Sequence, residues 1–361
     1  MISVRNVEEA LHQGLKYIYA NGVREESRAG PVLVSPTPVT TVYSRPQERV
    51  LFSPERDANP FLHLFESLWL LAGRNDAKWL DQFVHDFSSR FAESDGTLHG
   101  SYGYRWRHHF DLEGGGATYL PDQLNTVVEM LRNNNQDRRA VIQMWDPVAD
   151  LGATKKDVPC NLLVMLRVRK SEAKGFASHP EWIHGPQDAH YVLDITVCCR
   201  SNDLVWGAYG SNYVQFGVLQ EYLAARIGVG IGTYTQVSHN YHAYQNVLDQ
   251  LEGKAILEGG CKQVYETDGV EATPIVTVPT EFDNDLERFM YRTASSITPY
   301  FDKYEYRNCF FHEVAEPLFW ANRHWKQKGR QKALQELARM PPRSDWWIAA
   351  YQWFQRRATK V

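Results

Sequence analysis

Cysteine is sparse in this chain of 361 residues: five, at positions 160, 198, 199, 261 and 309, with no C-x-x-C pair among them. An odd number without framework spacing excludes a disulfide scaffold, and the missing pairs exclude a zinc knuckle. Long apolar runs are lacking too. No window approaches the roughly 18 consecutive apolar residues of a membrane span. The opening stretch, Met1–Gly22, has charges scattered through it, which is not the pattern of a secretory signal. Positive charge is not in excess. The formal net charge of −4 gives no basic field for holding nucleic acid. An anionic ligand must therefore be met by a local arginine cluster. A dinucleotide fingerprint is missing as well, because GVGIG (Gly228–Gly232) lacks G-x-G-x-x-G and follows a helix instead of a strand. These absences predict a cytoplasmic protein with no nucleic-acid or membrane partner, in which a lone cysteine stays a thiol.

Apolar residues make up 43% of the chain and charged residues 23%, the proportions of a globular protein. Eleven tryptophans and nineteen tyrosines imply a large core or broad interfaces. Val7, Leu11, Leu15 and Ile18 recur at helical spacing, so the chain opens with an amphipathic helix that ends near Asn21-Gly22. Residues 31–52 read as extended strands. Asn59–Gly73 has an Asn cap, Pro in the first turn and Gly at the end, which predicts a buried helix. Helices are also expected over 120–134 and 211–228. Strands are expected over 138–147, 160–169, 191–200 and 232–239, with an extended hairpin loop at 170–190. From Phe282 onward the chain reads as mostly helical. The expectation is one α+β domain with a helical C-terminal addition.

Within this frame several residues could carry chemistry. Cys160 follows a proline in DVPCNLLVMLRVR (Asp157–Arg169), at the mouth of a strand-like run. It is either a small core residue or a thiolate supported by nearby arginines. Cys198 and Cys199 point to opposite faces of a strand and read as packing. Arg200 and Ser201 end the next strand, in CRSND. A guanidinium and a hydroxyl together hold a phosphate, or else form an ordinary strand-end pair. Arg138 and Arg139 offer two further cations that a monomer would leave solvated. His239 and His242 stand three apart in SHNYHAY, but no third ligand has matching spacing, so no metal site is expected. Hydrogen bonding to a sugar is the better use of His239 and Tyr241. Glu66 lies in the middle of the apolar helix. It must pair with a buried arginine or keep a raised pKa suited to moving protons.

Taken in order, these segments resemble the thymidylate synthase and pyrimidine nucleotide hydroxymethylase family. The matching pieces are SRAG with Arg28, FESLWLLAG with Glu66, GSYGYRWR with Tyr102, DRRAVIQMWDP with Arg138 and Arg139, and VPCN with Cys160. CRSND with Arg200, Ser201 and Asp203, GSN with Asn212, and SHNYHAY complete the set. The resemblance covers residues 1–290, read as the catalytic domain, with 291–361 as a helical extension of the same domain. It implies a mixed β-sheet with surrounding helices and a sheet-to-sheet homodimer with shared active sites. It implies Cys160 as the nucleophile toward carbon 6 of a pyrimidine nucleoside monophosphate, with Glu66 and Tyr102 beside it in catalysis. Arg28, Arg200 and Ser201 would hold the 5′-phosphate, with Arg138 and Arg139 reaching over from the second subunit, and these cations would favour the thiolate. Asn212 would read the base, His239 and Tyr241 the sugar, and Asp203 the pterin of 5,10-methylenetetrahydrofolate, the one-carbon donor.

The departures from the family's pattern bear on the product. Asn161 stands where the family usually has histidine after the nucleophile. The tryptophan that normally shields the folate falls at Phe87 or Ser88, and the usual short C-terminal tail is replaced by residues 291–361. Less shielding favours water over hydride at the new one-carbon group. The departures resemble the divergent branch of phages and nucleoside-antibiotic pathways, which places a phage-encoded chain in its host's cytoplasm. Asn212 favours uracil, since it can donate to O4 and accept from N3–H. The expected reaction is hydroxymethylation of dUMP. The alternatives are dCMP or CMP hydroxymethylation, thymidylate synthesis, and a non-catalytic nucleotide-binding relic.

Overall fold

The computed structural model describes residues 1–110, 122–171, 191–252, 254, 256, 263–294 and 305–358. The loop expected at 170–190 lies, from residue 172 on, outside the described residues, as does Cys261.

Eight strands form one mixed sheet among the described residues: β1 (Ile2–Val4), β2 (Val23–Ser27), β3 (Gly30–Val34), β4 (Val39–Tyr43), β5 (Val141–Gln143), β6 (Asn161–Lys170), β7 (Tyr191–Asp203) and β8 (Gly230–Tyr244). The order is β1-β4-β8-β7-β6-β5, and the pairs β1/β4 and β7/β8 are parallel. The long β8 serves two partners on one edge. Its Tyr234–Ser238 stretch pairs with β4, and its His242–Tyr244 stretch pairs with β3, which carries β2 on its outer side.

Two sequence expectations are corrected here. The strand expected at 138–147 shrinks to Val141–Gln143, because Pro147 starts a short helix that Asp146 caps by accepting from the Val148 amide at 2.9 Å. The strand expected at 232–239 instead runs to Tyr244, because β3 continues its ladder after β4 has ended.

The helix Val7–Asn21 starts at Asn6, whose side chain accepts from the Glu9 amide at 3.2 Å. The helix Pro60–Leu71 starts as expected at Asn59, which accepts from the amides of Phe61 and Leu62. It packs against the helix Asn212–Ile227, which is buried along almost its whole length. Residues after 290 join the same apolar cluster as those before. Phe65 meets Phe319 edge-on with ring centroids 5.7 Å apart, and Phe61 meets Trp353 and Phe354, each at 5.3 Å. At the end of the Asp345–Ala358 helix, Arg356 and Arg357 both donate to Asp57, at 2.8 and 3.0 Å.

The two central strands break their alternation at the same level. In β8 buried residues occupy even positions through Ser238. His239 and Asn240 are then both exposed, and burial resumes at Tyr241 and Ala243. In β7 neither Arg200 nor Ser201 is buried, between buried Cys199 and buried Asn202. Ser201 and Asn240 are register partners.

Candidate active site

Cys160 ends the segment that enters β6, and Arg200 fixes its surroundings. The Arg200 amide donates to the Cys160 carbonyl at 2.8 Å. Its guanidinium donates to the carbonyls of Pro159 at 2.8 Å and Val158 at 3.1 Å and ends 4.0 Å from the Cys160 sulfur. It also lies over the Trp145 ring, at 5.5 Å. Burial raises the Cys160 thiol pKa, Arg200 opposes this, and Asp157 adds to the rise. In the single chain desolvation outweighs the one guanidinium beside the sulfur.

Beyond Arg200 opens a cleft of about 470 Å³ lined by Arg28, Arg200, Ser201, Asn240, His242 and Tyr244, among others. Arg28 reaches it from the exposed turn between β2 and β3. The structure thus brings Arg28, Arg200 and Ser201 together. It does not bring Tyr241. That side chain is fully buried, and its hydroxyl donates to the Tyr209 hydroxyl at 3.1 Å, next to Thr41. His239 is exposed and does not line the cleft. His242 and Tyr244 take these places. The break in alternation decides this: it sends Tyr241 into the core and leaves the row 240, 242 and 244 facing the cleft. The sequence signal was present, since SHNYHAY repeats His-x-Tyr at 239–241 and 242–244.

Tyr102 and Asn161 stand beside Cys160, and Glu66 feels the same Asp157 carboxylate that Cys160 does. Tyr102 starts the helix Tyr102–Arg107, and its hydroxyl stands beside the fully buried Asn161 amide. Burial, with Cys160 and Cys199 nearby, pushes its phenol well above the ordinary range. Glu66 Oε2 is buried. Burial pushes the carboxyl up to about 7, although Gln215 and Ser211 alongside favour the charged form, and Asp157 adds to the rise. No arginine pairs with it among the described residues, so of the two readings of Glu66 the proton-moving one fits the geometry.

Asn212 opens its helix and donates to Asn202 Oδ1 at 3.0 Å. The buried Asn202 in turn donates to Gln236 Oε1 at 3.0 Å and Ser238 Oγ at 2.9 Å. Next in β7, Asp203 accepts from the Trp206 amide at 2.5 Å. Burial raises its carboxyl pKa, against the opposing pull of the Trp206 amide and of nearby His242 and Arg56. Arg56 donates to the Val205 carbonyl at 3.1 Å and lies over Trp206 at 4.3 Å. The sequence reading missed Arg56.

Arg138 and Arg139 are exposed just before β5 and take no part in the cleft. Arg139 pairs with Asp137 at 2.6 Å. Of the positions that stand in for the shielding tryptophan, Ser88 donates to Asp81 at 2.6 Å, and the Phe87 ring meets Phe91 at 5.0 Å. A larger cavity, about 610 Å³, lies between the start of the chain and residues 265–344 and is lined by none of the expected site residues.

A family model described as thymidylate synthase matches residues 9–258. The chain is 40% identical over 368 residues to a deoxyuridylate hydroxymethyltransferase of Pseudomonas phage M6, covering 99% of this chain and 94% of that protein. It is 32% identical over 273 residues to a deoxyuridylate hydroxymethyltransferase of Bacillus phage SP01, covering 74% of this chain and 63% of that protein. It is 26% identical over 241 residues to a thymidylate synthase of Francisella philomiragia subsp. philomiragia, covering 66% of this chain and 80% of that protein. With Cys160 at the mouth of β6, an arginine cleft beside it and a match over most of its length, this chain belongs to the thymidylate synthase family.

Proposed function

We infer that the protein transfers a one-carbon unit to carbon 5 of a pyrimidine nucleoside monophosphate and that its product is 5-hydroxymethyl-dUMP. One observation carries the site reading: Arg200 both lines the Arg28–Ser201 cleft and stands 4.0 Å from the Cys160 sulfur. A phosphate in the cleft would anchor a nucleotide with its base toward that sulfur. The full-length likeness to a phage deoxyuridylate hydroxymethyltransferase supports the uracil base and the hydroxymethyl product.

In this reading the Cys160 sulfur adds to carbon 6 of the base, and carbon 5 gains the electron pair needed to attack a one-carbon donor. Arg200 stabilises the sulfur as it loses its proton. Arg28, Arg200 and Ser201 hold the phosphate, His242 and Tyr244 the sugar, and Asn212 the base edge. Glu66, poised near neutrality, passes protons, with Tyr102 beside the nucleophile. 5,10-Methylenetetrahydrofolate would supply carbon at the oxidation level of formaldehyde. The buried Asp203 carboxyl and the Trp206 ring, 55% exposed under Arg56, suit a flat heterocycle with donor amines. Carbon 5 then loses its proton as tetrahydrofolate departs, water adds to the one-carbon group, and the Cys160 sulfur leaves carbon 6 to restore the ring.

We read the working unit as a homodimer with shared sites. Val141 and Met165, adjacent in register on β5 and β6, are 41% and 42% exposed, an apolar patch that suits a second copy. The neighbouring Arg138 and Arg139 would then reach the partner's phosphate. No helix among the described residues is long and apolar enough to cross a membrane, and phage relatives support a host cytoplasm as the place of action. The test is to incubate the protein with methylenetetrahydrofolate and dUMP, dCMP or CMP, then weigh the product. Gain of one formaldehyde unit on dUMP is expected. Gain of one methylene with dihydrofolate formed would replace the hydroxymethylase reading with a synthase.

A further inference from the structure

We propose that Asn202 is a positioning residue that sets base specificity by holding the Asn212 amide in one of its two orientations, and that Gly207 provides the space for this. The proposal rests on the reading of Asn212 as the group that meets the base edge. A primary amide can face a pyrimidine in two ways. One way matches uracil, with an acceptor at C4 and a donor at N3. The other way matches cytosine, with an amino donor at C4 and an acceptor at N3. An amide free to turn over therefore discriminates poorly.

Asn212 is not free to turn. Its Nδ2 donates to Asn202 Oδ1 at 3.0 Å. Inverting Asn212 alone would set two carbonyl oxygens against each other with no hydrogen between them. Asn202 cannot follow by itself, because its Nδ2 already donates to Gln236 Oε1 at 3.0 Å and to Ser238 Oγ at 2.9 Å. Gln236 is committed as well, since its Nε2 donates to the Tyr234 hydroxyl at 2.9 Å. Three amides would have to invert together. Asn202 is 1% exposed and Gln236 1%, so water offers no substitute partner, and a half-turned chain leaves buried groups unpaired.

Gly207 supplies a second, independent observation. A Cβ built there would lie 2.6 Å from Asn202 Oδ1 and 3.1 Å from Asn212 Nδ2. Both distances are shorter than ordinary van der Waals contact, so any side chain at 207 presses on the two atoms that share the hydrogen bond. Gly207 has no positive φ, so close approach is what requires glycine here.

The test is calorimetric binding of dUMP and dCMP to the full chain, wild type against Asn202→Ala, Asn202→Asp and Gly207→Ala. Binding needs no turnover, so it separates this proposal from the product assignment. A wild type that binds dUMP but forms another product would sink only the latter. Loss of one hydrogen bond's worth of selection predicts a dUMP-to-dCMP affinity ratio about tenfold lower in Asn202→Ala. Asn202→Asp keeps an acceptor for Asn212 and retains the wild-type ratio. A general packing defect would weaken both nucleotides alike and leave the ratio unmoved. An unchanged ratio in Asn202→Ala overturns the proposal. Should that variant fail to fold, Gly207→Ala decides: a lowered ratio supports the proposal and a wild-type ratio overturns it.

Discussion

Arg200 spans the backbone turn before Cys160, holding two of its carbonyls and ending 4.0 Å from its sulfur. One side chain thus ties the shape of the Cys160 loop to the charge near its sulfur. Arg200→Leu should move the thiol pKa further up, because burial then acts unopposed. The pH dependence of Cys160 alkylation, followed by peptide mass mapping, checks this. A midpoint at or below the wild type's would mean that Arg200 does not act on the sulfur. Cys160→Ser should lower turnover by about a thousandfold or more.

Glu66 should leave a mark on stability as well as on rate. Its carboxyl is held at about 7 in the fold, above the ordinary value near 4.5. A carboxyl with a raised pKa favours the protonated form on folding. Its penalty is absent below pH 4.5 and grows as pH rises through about 7. Glu66→Gln removes that penalty. Urea unfolding should show the variant gaining on the wild type between pH 5 and pH 8, by up to about 3 kcal/mol. Its activity should fall while nucleotide affinity holds. A stability difference independent of pH would show that Glu66 is already charged in the fold.

Tyr241 and Tyr244 of β8 should separate cleanly. Tyr241→Phe removes a buried hydroxyl that donates to Tyr209, so it should cost about 1 kcal/mol of stability and leave KM for the nucleotide unchanged. Tyr244→Phe removes a hydroxyl at the cleft, so it should raise that KM about tenfold with little change in melting temperature. Steady-state kinetics and thermal melts on both variants check the pair. The reverse pattern would restore Tyr241 to the sugar.

Asp57 should report on the C-terminal helix. Burial tends to raise its carboxyl pKa, but hydrogen bonds from Arg357 and Arg356 outweigh this and leave it below the ordinary value. Such a group stabilises above its unfolded pKa, and the effect fades as pH falls through the folded one. Asp57 also has φ of 45°, which asparagine tolerates as well as aspartate does. Asp57→Asn therefore isolates the charge. It should cost about 1 kcal/mol at pH 7, since the partners are partly exposed, and less at pH 3, where the unfolded carboxyl is already mostly protonated. Denaturant titrations at the two pH values decide. An equal loss at both would mean that the ion pairs are not what holds this corner.

Much of the fold was legible because local signals agreed with it. The Asn59-Pro60 start, the Gly228 stop and the apolar runs of β6 and β7 are each written in a few adjacent residues. What stayed hidden depends on contacts distant in sequence. β2 reads VREES, a polar stretch with no apolar period, and it is a strand only because β3 pairs with it. The role of Arg56 comes from chain folding back onto Val205 and Trp206. The choice between His239–Tyr241 and His242–Tyr244 required knowing where alternation slips, and the two sets differ by an odd number of residues, hence by sheet face. Cys160, Arg200 and Ser201 are legible because their motifs are short and continuous.

The break at Arg200–Ser201 and His239–Asn240 sits in the middle of a sheet, where β7 and β8 still pair with each other but β8 passes from its β4 partner, which ends at Ser238, to its β3 partner, which begins at His242. Strands so placed ordinarily have nowhere to put polar groups. The slip opens a window there, framed by the β7/β8 ladder. Insertions or deletions of a single residue in either strand would shutter that window by exchanging its polar row for the oily one behind it. Lineages carrying this scaffold should therefore vary freely in length around these two strands and almost never within them.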